Sequence, residues 1–189
     1  METDNVPQNI NPTEGSDPNE LRWFAIKTKK DFQAENVLEP LCDEVFFPKE
    51  KVRIPGGKSR VKAFIPHVLF IKTTREKALE LEKMGREMAG LPIPFWIYRY
   101  PKDNNIQIIP QKSIDFLRLI TSDNSEKCEI FAKESFKKND HVRVIDGIFK
   151  GNEGYVQRVK KNLHVVVEIE GICMVMLPFI HPDLLEKID

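Results

Sequence analysis

The sequence VRVIDGIFKGNEGYVQRV, from Val142 to Val159, contains two β-branched runs separated by a glycine-bearing loop. Val142, Val144 and the apolar Ile145 lie along the first run, and Val156 and Val159 resume the pattern after the loop. The glycines of this stretch are Gly147, Gly151 and Gly154. Because glycine tolerates the backbone conformations of tight turns and bulges, they are interpreted as turn points within paired strands. The stretch therefore predicts a small, strongly bent β-barrel.

The chain has 189 residues, which is enough for two small domains with separate cores. Its formal net charge is zero, but the charge is distributed unevenly. Residues 1–20 contain five acidic and no basic residues, residues 21–121 contain 19 basic and 12 acidic residues, and residues 122–189 contain 10 basic and 12 acidic residues. A basic middle segment is typical of proteins that bind nucleic acid, although an ordinary solvated surface can carry the same net charge.

Composition and spacing argue against several classes of protein. Cys42, Cys128 and Cys173 are odd in number, far apart and without a C-x-x-C pair, so neither a disulfide framework nor a zinc site is expected. No charged-then-apolar leader and no uninterrupted apolar run of bilayer length is present, so a cytoplasmic protein is expected.

Catalysis also finds no support in the sequence. The four histidines have no carboxylate or nucleophile at a recognisable spacing, and the glycine loop lacks the Gly-Lys-Ser/Thr end of a phosphate-binding loop. We therefore expect no catalytic residues, no metal, no cofactor and no enzymatic activity.

The composition divides the chain into four parts. Residues 1–20 are predicted to be a disordered acidic tail, because they contain little that can be buried. Residues 21–121 mix predicted strands and helices, residues 122–135 form a polar linker, and residues 136–189 carry the barrel. Strands packed with helices in the first domain indicate the α+β class, with one antiparallel sheet and flanking helices.

The elements of the first domain follow from local patterns. A helix is predicted with Asp31 as its N-cap, and a second is predicted to open on a capping box of Thr73 and Glu76. The apolar run Phe64–Ile71 predicts a central strand, Phe95–Ile109 predicts a hairpin, and a third helix starts at Pro110. The basic segment Lys49–Lys62, with two glycines at its tip, predicts a mobile hairpin.

Three segments together resemble the NusG family of transcription elongation factors. The glycine loop resembles the family's KOW motif, and RWFAIKT (Arg22–Thr28) resembles the opening strand of its amino-terminal NGN domain. FFPKEKVRIPGGKSRVKAFIPHVLFIK (Phe46–Lys72) resembles the strand, basic Gly-Gly hairpin and strand that follow. The segments occur in the family's order, and the resemblance extends from Arg22 to Ile188. It implies an NGN-like domain followed by an SH3-like KOW β-barrel.

The resemblance implies a set of contact residues. The polymerase-docking residues, which would meet the clamp helices of the largest RNA polymerase subunit, are Phe64, Ile65, Val68 and Trp23. This surface departs from the family pattern, since His67 and Val68 replace Gly-Tyr and Ile65 replaces a Phe. Phe149 and Ile169 are implied as partner-binding residues of the KOW domain, for a ribosomal protein or the termination helicase.

Six polar residues are predicted to contact non-template DNA or nascent RNA. They are Lys29, Lys30, Gln33, Lys58, Arg60 and Lys62. Lysine and arginine attract phosphate without regard to sequence, and glutamine can hydrogen-bond a base edge. A solvated hairpin is the alternative for the basic arm.

The functional prediction is a non-enzymatic factor that favours the closed, processive elongation complex. The segment IQIIPQKSIDFLRLI (Ile106–Ile120) resembles the specialised paralogues of capsular polysaccharide operons, which implies an operon-specific antiterminator. Two alternatives remain open at this stage. One is a general housekeeping elongation or termination factor, and the other is a ribosome- or RNA-associated KOW module.

Overall fold

The computed structural model describes residues 17, 19–122, 139–159, 162–177, 180 and 184–188. The predicted acidic tail and linker lie almost entirely outside these residues, as does Cys128, and their structure stays a prediction.

The first domain contains a five-stranded antiparallel sheet, a separate two-stranded sheet and three helices. The strands of the larger sheet are β1 (Arg22–Lys27), β2 (Glu44–Phe46), β5 (Val68–Thr73), β6 (Trp96–Ile97) and β7 (Ile108–Ile109). The smaller sheet pairs β3 (Lys49–Arg53) with β4 (Ser59–Ala63). The helices are α1 (Asp31–Leu38), α2 (Arg75–Arg86) and α3 (Gln111–Thr121). In the larger sheet the order is β2-β5-β1-β6, and β7 also pairs with β1.

The residues of β1 alternate between two apolar clusters. Apolar side chains therefore cover both faces of the larger sheet. Phe24 and Ile26 belong to a cluster with residues of α1 and α2. Trp23 and Ala25 belong to a second cluster on the opposite face, which includes residues of α3 and of the second domain. Consecutive strand residues point to opposite faces, so one short apolar run supplies both cores.

Two predicted elements of the first domain differ in the structure from the prediction. The central strand begins at Val68 rather than at Phe64, because the chain turns before it and His67 has a φ of 67°. The segment Phe95–Ile109 turns back where predicted, with backbone hydrogen bonds from the Tyr100 N–H to Asn105 and from the Gln107 N–H to Tyr98, but its named strands β6 and β7 pair with β1 instead of with each other.

The helix starts also differ by one residue from the prediction. Asp31 is the first residue of α1, and its carboxylate accepts hydrogen bonds from the backbone N–H groups of Phe32 and His67. Thr74 caps α2 by accepting a hydrogen bond from the Lys77 N–H, because Thr73 is still the last residue of β5.

The second domain is a five-stranded antiparallel sheet. Its strands are β8 (His141–Val144), β9 (Glu153–Val159), β10 (Asn162–Ile169), β11 (Cys173–Met176) and β12 (Leu185–Lys187), in the order β11-β10-β9-β8-β12. The last strand was not predicted, and it pairs with the first strand of the domain. The predicted α+β class, a sheet with helices followed by a small β domain, is confirmed.

The glycines of the loop between β8 and β9 have two different roles. Gly147 and Gly151 have φ angles of 81° and 83°, which L side chains rarely adopt. Gly154 lies within β9 without a positive φ, so its interpretation as a turn point is wrong. A Cβ at Gly154 would lie 2.4 Å from the carbonyl oxygen of Val166, which leaves no room for a side chain.

In the part of the chain that the structure describes, no helix is long and apolar enough to span a bilayer. Those same residues contain no group of three or more His, Cys, Asp or Glu side chains that could hold a metal ion.

Candidate functional site

The basic hairpin forms an exposed arm of two paired strands. In its register Glu50 lies opposite Lys62, and Val52 lies opposite Arg60. The turn is closed by a 2.9 Å hydrogen bond from the Ile54 N–H to the Lys58 carbonyl. Gly56 and Gly57 at the tip have φ angles of 91° and 77°, and a Cβ on either would meet nothing within 4 Å. The tip of the arm is therefore open to solvent.

The cations of the arm differ in their partners. Lys62 Nζ lies 2.9 Å from Glu50, and Lys49 Nζ lies 2.8 Å from Glu35 of α1. Among the described residues, three exposed cations of the arm have no carboxylate partner: Arg53, Lys58 and Arg60. Unneutralised charge is therefore concentrated in the distal half of the arm, and Lys62 contributes less of it than the sequence predicted.

The base of the arm is fixed against α1. Phe47 is buried and packs edge-on against Phe32, with ring centroids 5.0 Å apart. Lys49 Nζ lies 5.5 Å from the centre of the Phe47 ring while it also pairs with Glu35. Gln33 follows Phe32 along α1, so the arm and the predicted contacts at the start of α1 belong to one end of the domain.

The lysines that precede α1 are held at the surface by a buried threonine. The Thr28 hydroxyl donates a 2.8 Å hydrogen bond to the Pro94 carbonyl and accepts one of 3.2 Å from the Lys30 N–H. Lys29 and Lys30 are exposed, as is Gln33. This geometry presents all three predicted side chains to solvent.

The predicted polymerase-docking residues occupy one apolar cluster. Trp23, Ile65 and Val68 are buried, and Phe64 is half-buried against the same cluster. The cluster also contains the predicted KOW partner-binding residues Phe149 and Ile169, both buried. These six residues therefore belong to one buried cluster, to which α3 and the second domain both contribute.

Trp23 is oriented by side chains of α3 that the sequence did not single out. Its indole Nε1 donates a 2.8 Å hydrogen bond to Gln111 Oε1. The Arg118 guanidinium lies 5.5 Å from the centre of the indole, and Lys72 Nζ lies 5.9 Å from it. Arg118 also pairs with Glu44 of β2. The indole is thus fixed by one hydrogen bond and two cations near its ring.

A second unpredicted residue, Gln107, joins the two domains. Its side chain is 4% exposed, and its Nε2 donates a 2.5 Å hydrogen bond to the backbone carbonyl of Glu170. A Cβ on the neighbouring Gly171 would lie 3.0 Å from Gln107 Oε1. Only the folded arrangement identifies this glutamine, since its partner lies 63 positions away in the sequence.

Titratable groups at the domain boundary are perturbed by burial. Burial raises the pKa of Tyr98, and Cys173 of the second domain raises it further. Burial also raises the pKa of the Cys173 thiol to about 11, so the thiol is protonated at neutral pH. On the barrel surface a hydrogen bond from Arg143 lowers the pKa of Glu153, and Lys112 of α3 contributes to the same shift.

Comparisons with known proteins find likenesses only among solved structures. No family model and no curated protein matches this sequence. Among solved structures, one of NusG from Thermotoga maritima, described by its domain interaction, is 16% identical, with a TM-score of 0.49, and the alignment covers 90% of this chain and 98% of that one. Conformation B of the MjSpt4:Spt5 complex is 20% identical, with a TM-score of 0.28, and covers 88% of this chain and 96% of that one. NusG is the family that the three sequence segments resemble.

Proposed function

We propose that this chain is a NusG-like transcription elongation factor that binds RNA polymerase without catalysing a reaction. The observation that carries the proposal is the placement of Trp23, Ile65 and Val68 on one face of the sheet, in a domain that also extends an exposed basic arm. An apolar face suits a protein partner, and a cationic arm suits the nucleic acid that this partner holds.

The first domain would dock through Phe64, Ile65, Val68 and Trp23 on the clamp helices of the largest polymerase subunit. The arm and the segment around Lys29 would then lie against non-template DNA or nascent RNA. A protein that binds the closed elongation complex more tightly than the paused one shifts the population toward the closed form. Antitermination at a particular operon is the outcome we propose.

RNA polymerase can dock on this face only when the second domain has moved away from it. Trp23, Ile65 and Val68 are buried in a cluster that includes Phe149 and Ile169. The apparent affinity for polymerase is then the intrinsic affinity reduced by the fraction of molecules whose face is uncovered. The same movement would expose Phe149 and Ile169 to a ribosomal protein or the termination helicase.

A second candidate function uses the barrel surface as a ribosome- or RNA-associated module. Tyr155 is 47% exposed and stacks on His141 with ring centroids 4.7 Å apart. Exposed aromatic rings of this kind can stack on unpaired bases.

Co-purification from the cytoplasm of the source organism distinguishes the two functions. A tagged full chain is expected to retain core RNA polymerase, and an Ile65→Asp variant is expected to lose it. Retention of ribosomal subunits without polymerase would favour the second candidate, and polymerase retained equally by both proteins would place docking on another surface. A housekeeping factor would act at most operons, whereas an operon-specific one would change readthrough at few.

A further inference from the structure

Trp96 is a large aromatic residue on the edge strand β6 that does not contribute to either core. Its side chain is 49% exposed, whereas its neighbours Phe95 and Ile97 are buried. Trp96 lies directly opposite Lys27 of β1 in the antiparallel register. Opposite residues of an antiparallel pair project from the same face, with Cβ atoms roughly 5 Å apart. The indole therefore lies beside an exposed lysine.

The segment that follows Lys27 is held next to the segment that precedes Trp96. The hydrogen bond from the Thr28 hydroxyl to the Pro94 carbonyl joins them one step beyond the Lys27–Trp96 pair. Thr28 is buried, and the two residues that follow it, Lys29 and Lys30, are exposed at the surface. The exposed ring thus lies beside Lys27, and the exposed Lys29 and Lys30 follow within three residues along the chain.

The charge around the ring is positive and not neutralised. Lys27, Lys29 and Lys30 are exposed and, within the described ranges, pair with no carboxylate. The nearest acid along the chain, Asp31, is mostly buried and accepts hydrogen bonds from two backbone N–H groups. An apolar protein partner would gain nothing from three unpaired cations, whereas a phosphate backbone would be attracted by them.

We propose that Trp96 is a stacking platform for an unpaired base, and that Lys27, Lys29 and Lys30 contact the adjoining phosphates. The inference rests on the proposed function, and it names single-stranded nucleic acid as the ligand of this end of the domain. Every base has an aromatic face, so the platform binds strands without strong sequence preference, and paired bases within a duplex cannot reach it. DNA and RNA share this chemistry.

The test is a titration of the full chain with labelled oligothymidylate and, in a separate experiment, with labelled oligouridylate. Base stacking on an aromatic ring is lost on substitution by alanine, so Trp96→Ala is expected to weaken binding roughly fivefold or more. Trp96→Phe keeps an aromatic face and is expected to restore most of the affinity. Met174→Ala, which removes an exposed large apolar side chain from the second domain, is the control and should leave binding unchanged. The oligonucleotide that binds more tightly shows whether DNA or RNA is the preferred ligand.

Intrinsic fluorescence supplies an independent readout, because the chain has two tryptophans and Trp23 is 3% exposed. Oligonucleotide is expected to quench the wild type and not the Trp96→Phe variant. Equal affinities of wild type and Trp96→Ala, with weaker binding by Lys29→Ala/Lys30→Ala, would overturn the platform and leave the proposed function intact. An equal loss of affinity for polymerase free of nucleic acid would instead make Trp96 a protein contact. A wild type that binds neither polymerase nor an elongation complex would overturn the proposed function itself.

Discussion

Gln107 Nε2 donates a 2.5 Å hydrogen bond to the carbonyl of Glu170 and thereby joins the first domain to the turn between β10 and β11. The glutamine is nearly fully buried, so solvent does not replace the bond while the domains are in contact. The cluster that contains the proposed docking residues Trp23, Ile65 and Val68 also contains residues of the second domain. In the proposed function, the strength of the contact between the domains controls access to the docking face.

The first prediction concerns this bond. Gln107→Ala is expected to remove roughly 0.5 to 1.5 kcal/mol from the contact between domains. The fraction of molecules with an uncovered face should rise about two- to tenfold, and apparent polymerase affinity should rise by the same factor. Binding kinetics with core polymerase measure this change. Gln157→Ala is the control, because the Gln157 amide donates a hydrogen bond to Asn139 inside the second domain. This variant should not change the affinity for polymerase.

The second prediction concerns the docking face itself. Ile65→Asp introduces a carboxylate into an apolar contact, which costs several kcal/mol when it is desolvated and unpaired. The contact between the two domains of the variant should open. Polymerase binding should nevertheless be lost, because the Ile65 side chain is itself required for docking. Ile148→Asp makes the same chemical change at a residue that is 59% exposed and should bind like wild type. A folded Ile65→Asp variant with wild-type affinity would show that this face is not used.

The third prediction uses the two roles of glycine in the barrel. Gly151→Val is expected to cost about 1 to 3 kcal/mol through backbone strain at a φ of 83°. Gly154→Val should be more severe, because its Cβ would collide with the Val166 carbonyl, so the strand must separate from β10. Amide hydrogen exchange should show lost protection in residues 139–188 and retained protection in β1 and β5. Equal loss in both domains would mean that the two domains unfold as one cooperative unit.

The fourth prediction concerns the arm. Replacing Arg53, Lys58 and Arg60 by Ala should flatten the salt dependence of binding to an elongation complex, because each lost phosphate contact removes about 0.7 to 0.9 from the log–log slope. Three contacts would change the slope by roughly two. A Lys49→Ala/Lys62→Ala variant removes cations that already have carboxylate partners and should change the slope less. Parallel lines for all three proteins would mean that the arm is a solvated hairpin.

The fifth prediction concerns the buried ion pair between Glu82 of α2 and Arg99. Burial alone would raise the pKa of Glu82, but hydrogen bonds from Arg99 and from the Ile97 N–H outweigh it and lower the pKa below 4.5. Stability from this group is therefore present above pH 4.5 and is lost as the pH falls through the folded-state pKa. Glu82→Gln should cost about 1.5 to 3 kcal/mol at neutral pH.

The measurement for that variant is denaturant unfolding of wild type and Glu82→Gln between neutral and acidic pH. The two free energies of unfolding should converge at the acidic end, where the wild-type carboxylate is protonated. A difference that is constant across the range would mean that the charge of Glu82 does not stabilise the fold.

Local patterns in the sequence predicted those features of the fold that depend on local chemistry. The helix that follows Pro110 and the Gly56-Gly57 tip of the arm are visible because helix period and turn residues are properties of neighbouring positions. The predicted start of β5 differs because Phe64–Ile71 is apolar apart from His67, and the positive φ of that residue lies in the turn before the strand. Two-residue strands such as β6 carry no detectable period.

The candidate site was less predictable because its decisive contacts join distant parts of the chain. Nothing around Lys49 indicates that Glu35 of α1 neutralises it. Ile65 is implied as a docking residue by the resemblance, whereas its burial depends on contacts among distant segments of the chain. Trp96 was missed because its exposure and its neighbour Lys27 are fixed by strand register rather than by sequence spacing.

Single-round transcription through a strong pause site measures whether the protein favours the processive elongation complex. Saturating wild-type protein is expected to shorten the pause, Gln107→Ala is expected to do so at lower concentration, and Ile65→Asp is expected to have no effect. An unchanged pause lifetime with wild type and with Gln107→Ala, at concentrations that saturate binding to the elongation complex, would contradict a factor that favours the processive state.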